Sequence, residues 1–180
     1  QIAIIDSDIY IRQEAPNIFW DLTEEYAFGA VAERELPCAK KYKSKIRKYS
    51  KAAFENLKDV DWKWNELGAE FYNMGMMVIN SKKFLPYLKG QTAEQFIRRP
   101  EFKDFVDGIG YRKWSTDQML LNYWVKKEKI PTLNMDWRWN GLFKGIDDKQ
   151  IPKAYFIHFF LKDLLPQKGE NVHDLMRVIN

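Results

Sequence analysis

An apolar run, Ile2 to Ile5, ends on Asp6-Ser7-Asp8, so two carboxylates lie one residue apart where a strand would stop. Strand side chains alternate between faces, which puts residues two apart on the same side. The C-terminal edge of an open α/β sheet is where such sheets place their ligands. Two carboxylate oxygens there can hold a hard divalent cation, and that cation can neutralise a diphosphate. The plain alternative is a pair of turn-forming or cap-forming acids. A second Asp-x-Asp, Asp59 and Asp61, follows polar residues instead of an apolar strand and lacks that setting.

The elements that must position the pair follow from periodicity and punctuation. Apolar runs predict buried strands over 2–5, 27–33 and 74–80, and a late strand over 154–160. Pro16 suits the first turn of a short helix around 16–22. Residues 40–58 place Ile46, Tyr49, Ala53, Phe54 and Leu57 on one helical face, with Lys and Arg around the rest. Residues 59–70 are Trp-rich and irregular. A helix across 81–88 ends at Gly90, and Thr92 with Gln95 has capping-box spacing for another. Residues 107–115 read as a loop, Ser115 starts a helix reaching about Lys127, and a final helix covers 171–179. Strands alternating with helices of unequal length predict one α/β layered domain over residues 1–180. The abrupt start on a strand predicts that an N-terminal part of the natural domain lies upstream of Gln1.

Composition narrows the class. The 180 residues suffice for one domain with a proper core, and 46% hydrophobic with 30% charged residues excludes a disordered chain. No apolar run reaches the length of a membrane span. A net charge of +4 is too mild to demand a nucleic-acid partner, though it permits contact with phosphates. The single cysteine, Cys38, excludes an internal disulfide and a cysteine-only metal site, and fits a reducing, cytoplasmic setting. Seven Trp, nine Tyr and twelve Phe are an unusual number; aromatics most often build core, and such a surplus also suits clefts that stack on sugar rings.

Four further stretches stand in a fixed order after the acidic pair: "FYNMGMMVIN" (71–80), "WSTDQMLLNYW" (114–124), "DWRWNGLF" (136–143) and "YFIHFFLK" (155–162). Together they resemble glycosyltransferase family 8 and its relatives of the GT-A fold, over roughly residues 2 to 162. The resemblance implies a GT-A-like mixed sheet flanked by helices. It implies transfer of a sugar, with retention, from a nucleotide-diphosphate sugar such as a UDP-hexose to an acceptor hydroxyl. The acceptor would be a glycan, glycolipid or glycoprotein. By position, Asp6 and Asp8 would bind Mn²⁺ or Mg²⁺, with His158 as a third ligand. Lys162 would face the diphosphate, Asn73 would contact the donor sugar or the acceptor, and Asp117 and Gln118 would lie against the transferred sugar. Leu161 stands where the late motif has Gly, which leaves the phosphate role to Lys162 or Lys168. Met119 stands where a further Asp is common. The family's uracil- and ribose-binding strands precede its Asp-x-Asp strand, so the reading expects the C-terminal part of a GT-A domain.

Each of these residues also has a plainer reading. Ser115 and Gln118 fit a capping box, and Asp117 suits a first helical turn. His158 lies between Ile157 and Phe159, where a lone histidine is most often a satisfied core residue. Asn73 fits a turn before a strand, with Gly75 relieving a crowded approach. His173 reads as a surface residue. The basic stretch 40–51 reads as a solvated helix face, and leaves open a peripheral contact with anionic lipid or a phosphorylated acceptor. Trp62, Trp64, Trp114, Trp137 and Trp139 stand beside the motifs, as core or as acceptor platforms. Two other functions compete. One is a Mg²⁺-dependent phosphatase resembling the haloacid dehalogenase group, with Asp6 as nucleophile, Asp8 as general acid and Asp147 and Asp148 as a second acidic motif. The other is a non-catalytic carbohydrate-binding fragment.

Overall fold

The computed structural model describes residues 1–110 and 116–159. Lys162, Lys168, His173, Trp114, Ser115 and the expected terminal helix lie outside the described residues. Within them the chain is a mixed α/β structure. Seven strands run in chain order: β1 Ile2–Ile5, β2 Ile9–Ile11, β3 Phe28–Ala32, β4 Tyr72–Ile79, β5 Thr132–Asn134, β6 Gly141–Leu142 and β7 Phe156–His158. They form two mixed sheets, ordered β1-β4-β3-β5 and β2-β7-β6. In the first, β1 and β3 run antiparallel to β4 and β5 runs parallel to β3; in the second, β2 is antiparallel and β6 parallel to β7.

Helices flank the sheets: α1 Lys40–Phe54, α2 Ser81–Phe84, α3 Ala93–Ile97, α4 Lys103–Val106 and α5 Thr116–Lys127. The expected apolar face of α1 is the one that is buried, through Ile46, Ala53 and Phe54. Phe54 stacks on Trp62 with ring centroids 4.3 Å apart and meets Phe71 at 5.3 Å, so the irregular Trp-rich stretch feeds the core. Among the described residues no helix is long and apolar enough to cross a membrane.

Three local expectations need correction. The strand at 2–5 exists but lies at a sheet edge, with Ile2 and Ile4 exposed, because β4 is its one sheet neighbour. The helix around 16–22 is a single 3₁₀ turn, Ile18–Trp20, capped by the Asn17 side chain; Pro16 precedes the cap instead of opening the turn. The helix across 81–88 breaks into α2 and a 3₁₀ turn, Leu85–Leu88, because Pro86 has no N–H to continue an α-helical ladder. Lys89 and Gly90 then end it, both with positive φ. The Thr92–Gln95 capping box is present as the spacing required.

β4 is the axis of the site. It is buried at every position from Tyr72 to Val78, as expected of a strand covered on both faces. Its register against β3 slips: Ala30 lies opposite Met77, but Val31 lies opposite Asn73. Met74, Gly75 and Met76 therefore fall outside the β3 ladder, an irregularity of the kind that re-aims side chains near functional sites. On its other edge β1 pairs only as far as Met76. Beyond that point Gly75 C=O accepts from Asp6 N–H at 2.8 Å, and amide side chains from α5 take over. Gln118 Oε1 accepts from Met74 N–H at 3.3 Å. Asn122 accepts from Tyr72 N–H at 2.7 Å and donates to Tyr72 C=O at 2.8 Å. Two side chains one helical turn apart thus close a strand edge that β1 leaves open.

Candidate metal centre and its polar support

Asp6 to Ile9 forms a tight turn between β1 and β2, with Ile9 N–H donating to Asp6 C=O at 3.2 Å. The two carboxylates converge through this turn and not through strand alternation, which corrects the route by which they meet. Each end of the turn is tied to a different sheet. Asp6 N–H donates to Gly75 of β4, and Asp8 C=O accepts from Phe159 N–H, just past β7, at 2.9 Å. Ile9 pairs with His158 in the ladder, which brings the imidazole under the turn. His158 Nε2 lies 3.2 Å from Asp8 Oδ1 and 3.9 Å from Asp6 Oδ2. Among the described residues, Asp6, Asp8 and His158 are the one group of three or more His, Cys, Asp or Glu with ligand atoms all within 4.8 Å of one another. The imidazole is buried, while the Asp6 carboxylate faces solvent.

A chain of buried amides sets the tautomer of His158. Gly75 N–H can only donate, and it donates to Asn73 Oδ1 at 3.0 Å. Asn73 Nδ2 must then point away, and it donates to Glu33 Oε1 at 2.8 Å. Asn140 Nδ2 donates to the same Asn73 oxygen at 2.8 Å. That leaves Asn140 Oδ1 as an acceptor, 3.0 Å from His158 Nδ1. Nδ1 therefore carries a proton, and Nε2 faces the two aspartates. Glu33, Asn73, Asn140 and His158 are all buried, so each lost bond in the chain would strand a polar group away from water.

Burial also sets the charges. It pushes the His158 pKa down, against the charges of Asp8 and Asp6 and a hydrogen bond with Asp8. Burial raises Asp6, with repulsion from Asp8 and Asp117 adding to the effect and His158 opposing it. Glu33 is pushed up to about 7 by burial, with hydrogen bonds from Asn73 and Tyr42 working the other way.

Gly75 is required by space. A Cβ there would stand 2.4 Å from His158 Cε1 and 3.0 Å from Asp6 Oδ2. The crowded approach expected at this glycine is thus the packing of the imidazole itself.

The remaining expected site residues fall as follows. Asp117 is exposed at the start of α5 and close enough to Asp6 to raise its pKa. Gln118 bridges Met74 N–H and, through Nε2, the Tyr49 hydroxyl at 3.3 Å. It also lines a cavity of about 230 Å³ with Glu33, Tyr42, Lys45, Ile46 and Tyr49. Asn73 has both ends of its amide taken up by protein partners. Lys162 lies outside the described residues. Of the tryptophans, Trp62 and Trp139 are core and Trp64 is exposed. The second acidic motif required by a phosphatase does not join the first: Asp148 pairs with Lys144 at 3.8 Å, and neither Asp147 nor Asp148 belongs to the acidic group.

Glu33 and Asn140 were not anticipated. Asn140 stands within "DWRWNGLF", where the sequence assigns it no role. Glu33 ends the apolar run "FGAVA" as Asp6 ends "IAII", so the pattern that singled out Asp6 applied equally to it.

No protein-family model matches the chain, and no curated protein does. Among solved structures, mouse xyloside xylosyltransferase 1 in its apo form is similar at a TM-score of 0.43 and 16% identity, over 91% of this chain. The match spans 58% of that protein's length, less than two thirds of it. A likeness of that size carries no weight for the activity of this chain.

Proposed function

We propose that this chain carries the metal- and sugar-handling part of a retaining, GT-A-like glycosyltransferase, moving a hexose from a nucleotide-diphosphate sugar to an acceptor hydroxyl. The observation that carries the reading is the convergence of Asp6, Asp8 and His158, with Nε2 turned toward both acids and Nδ1 held by Asn140. Two carboxylates and one imidazole make a donor set that fits Mn²⁺ better than Mg²⁺, because the imidazole is the softer ligand. When bound, the cation would supply charge neutralisation for the donor diphosphate.

The chain's own residues do the rest. Asn140 and Asn73 hold the imidazole in one tautomer and one orientation, as outer partners of a ligating histidine do. The exposed Asp117 carboxylate and the Gln118 amide flank the approach to the transferred sugar, and Asp117 faces positive charge growing at its anomeric carbon. Lys162 supplies a cation for the departing diphosphate. The acceptor is a glycan or glycoconjugate hydroxyl.

Titration calorimetry with UDP-hexoses, with and without Mn²⁺, tests the reading. Donor binding that needs Mn²⁺ and is abolished in Asp8→Asn, with the fold intact by circular dichroism, is the expected result. Undiminished donor binding or turnover in Asp8→Asn would remove the metal role and the reading with it.

A further inference from the structure

We propose that a second cleft, at the opposite end of α5 from Asp117, binds an anionic oxygen group (carboxylate, sulfate or phosphate) on a sugar-sized ligand. The cleft has a volume of about 400 Å³ and is lined by Lys63, Glu70, Tyr72, Lys126, Lys127 and Lys129 among others. Lys126 lies nine positions after Asp117 on the helix, roughly 14 Å along the axis, so this is not the acidic centre.

Its electrostatics are unbalanced in one direction. The Glu70 carboxylate accepts from Arg34 Nη2 at 2.7 Å and Lys126 Nζ at 2.8 Å, and Lys63 Nζ stands 3.6 Å away. Arg34 Nε also stands 3.8 Å from Glu35, and the four lysines that line the cleft (Lys63, Lys126, Lys127, Lys129) outnumber its three acids (Asp59, Asp61, Glu70) by one. Arg34 and Lys126 are no ordinary surface cations, for their side chains are only 11% and 10% exposed. Arg34 Nε is buried without a hydrogen-bond partner. The cleft's other two acids each have a partner, though only Asp59 has a cationic one. Asp59 pairs with Lys127 and accepts from the Tyr123 hydroxyl at 2.8 Å, and Asp61 accepts from Lys63 N–H at 2.9 Å. Lys129 forms no ion pair among the described residues. Burial, together with Lys63 and Arg34, pushes the Lys126 pKa down against the pull of Glu70.

Partly desolvated like charges favour taking up a counter-charge, because cations withdrawn from water are stabilised only by pairing. The cleft offers that charge a shaped place. Lys126 Nζ lies 5.4 Å from the Tyr72 ring centroid and 6.0 Å from that of Trp62, so the ammonium is held from behind by aromatic faces. Tyr72 also lines the cleft, with only 6% of its surface exposed. The volume is in the range of small-molecule sites. Arg34, Lys63 and Lys126 converge on one half-buried carboxylate, Glu70, which lines the cleft.

Calorimetric titration of the full chain at fixed ionic strength, using glucuronate, sulfate, inorganic phosphate and neutral glucose, tests the proposal. Lys63 and Lys129 both have a positive φ, so each is replaced by Asn, which tolerates that backbone. Binding of at least one anion with a Kd below about 1 mM, weakened about tenfold in the double variant and unchanged in Asp8→Asn, is expected. Glucuronate binding most tightly would assign an acidic sugar; sulfate or phosphate binding most tightly would assign an esterified one. The proposal is overturned if no anion binds at about 10 mM. It is equally overturned if glucose binds as well as glucuronate, if the double variant binds normally, or if Asp8→Asn abolishes binding.

Discussion

Gly75 and His158 are packed so closely that a methyl group on the glycine would stand 2.4 Å from the imidazole Cε1. The ring cannot yield easily. Its Nδ1 is held by Asn140 at 3.0 Å and its other nitrogen faces Asp8 at 3.2 Å. Gly75→Ala is therefore expected to cost about 1–3 kcal/mol of stability, as overpacking does. It should also weaken Mn²⁺ binding by about 10- to 100-fold, because the ring must turn to make room. Urea unfolding and a Mn²⁺ titration followed by electron paramagnetic resonance measure the two effects. Native Mn²⁺ affinity in a stably folded Gly75→Ala protein would show that His158 is not a ligand.

The tautomer can be read directly. The sequence has two histidines, so long-range ¹H–¹⁵N spectra resolve the His158 ring. The metal-free protein should show the proton on Nδ1. Asn140→Leu removes its acceptor and should bring in the Nε2–H form, with a loss of Mn²⁺ affinity of about tenfold. A ring without a proton on Nδ1 in the unaltered protein would contradict the amide chain as described.

Glu33 makes stability depend on pH in a direction unusual for a carboxylate. Its folded pKa is raised to about 7 from an ordinary 4.5, so between those values the folded state binds the extra proton. Its contribution is fully present below pH 4.5 and is lost as pH rises through about 7. The total is on the order of 3 kcal/mol. Glu33→Gln keeps an acceptor for Asn73 and removes the titration. Its urea midpoint should change less between about pH 5 and about pH 8 than that of the unaltered chain. Equal pH dependence in the two proteins would place Glu33 in a solvated setting.

Asn122 makes three bonds: to Tyr72 N–H at 2.7 Å, and to the Tyr72 and Gln118 carbonyls at 2.8 Å each. Asn122→Ala leaves two buried backbone groups of β4 unsatisfied, at about 1–3 kcal/mol each. A loss of about 2–5 kcal/mol in denaturant unfolding is expected. A loss below about 1 kcal/mol would mean that water reaches the strand edge there.

Much of the architecture was legible because it is local. Apolar runs marked β1, β3, β4 and β7, helical spacing marked the buried face of α1, and one capping box marked α3. Lengths were misjudged where a single residue intervened, as at Pro86. The three-residue strand at 156–158 is shorter than its apolar run because adjacency to a sheet, and not hydrophobicity, ends it. For the site, the acids and the histidine could be picked from their settings. Their mutual geometry could not, since it depends on a turn and on a ladder joining residues about 150 apart (Ile9 with His158). Glu33 carries the same strand-end signal as Asp6, but its link to Asn140 through Asn73 has no sequence signal. A buried amide chain has no periodicity, and its members are linked only after the sheets pair.

The side-chain closure of β4 has a consequence for solubility. An unpaired strand edge is a template on which another chain can add. Gln118 and Asn122 occupy that edge with groups that satisfy it without extending it, so α5 works as a plug against intermolecular strand addition. Chains that lose this plug while keeping the rest of the fold should self-associate through β4, and the stretch "YNMG" would be the point of contact.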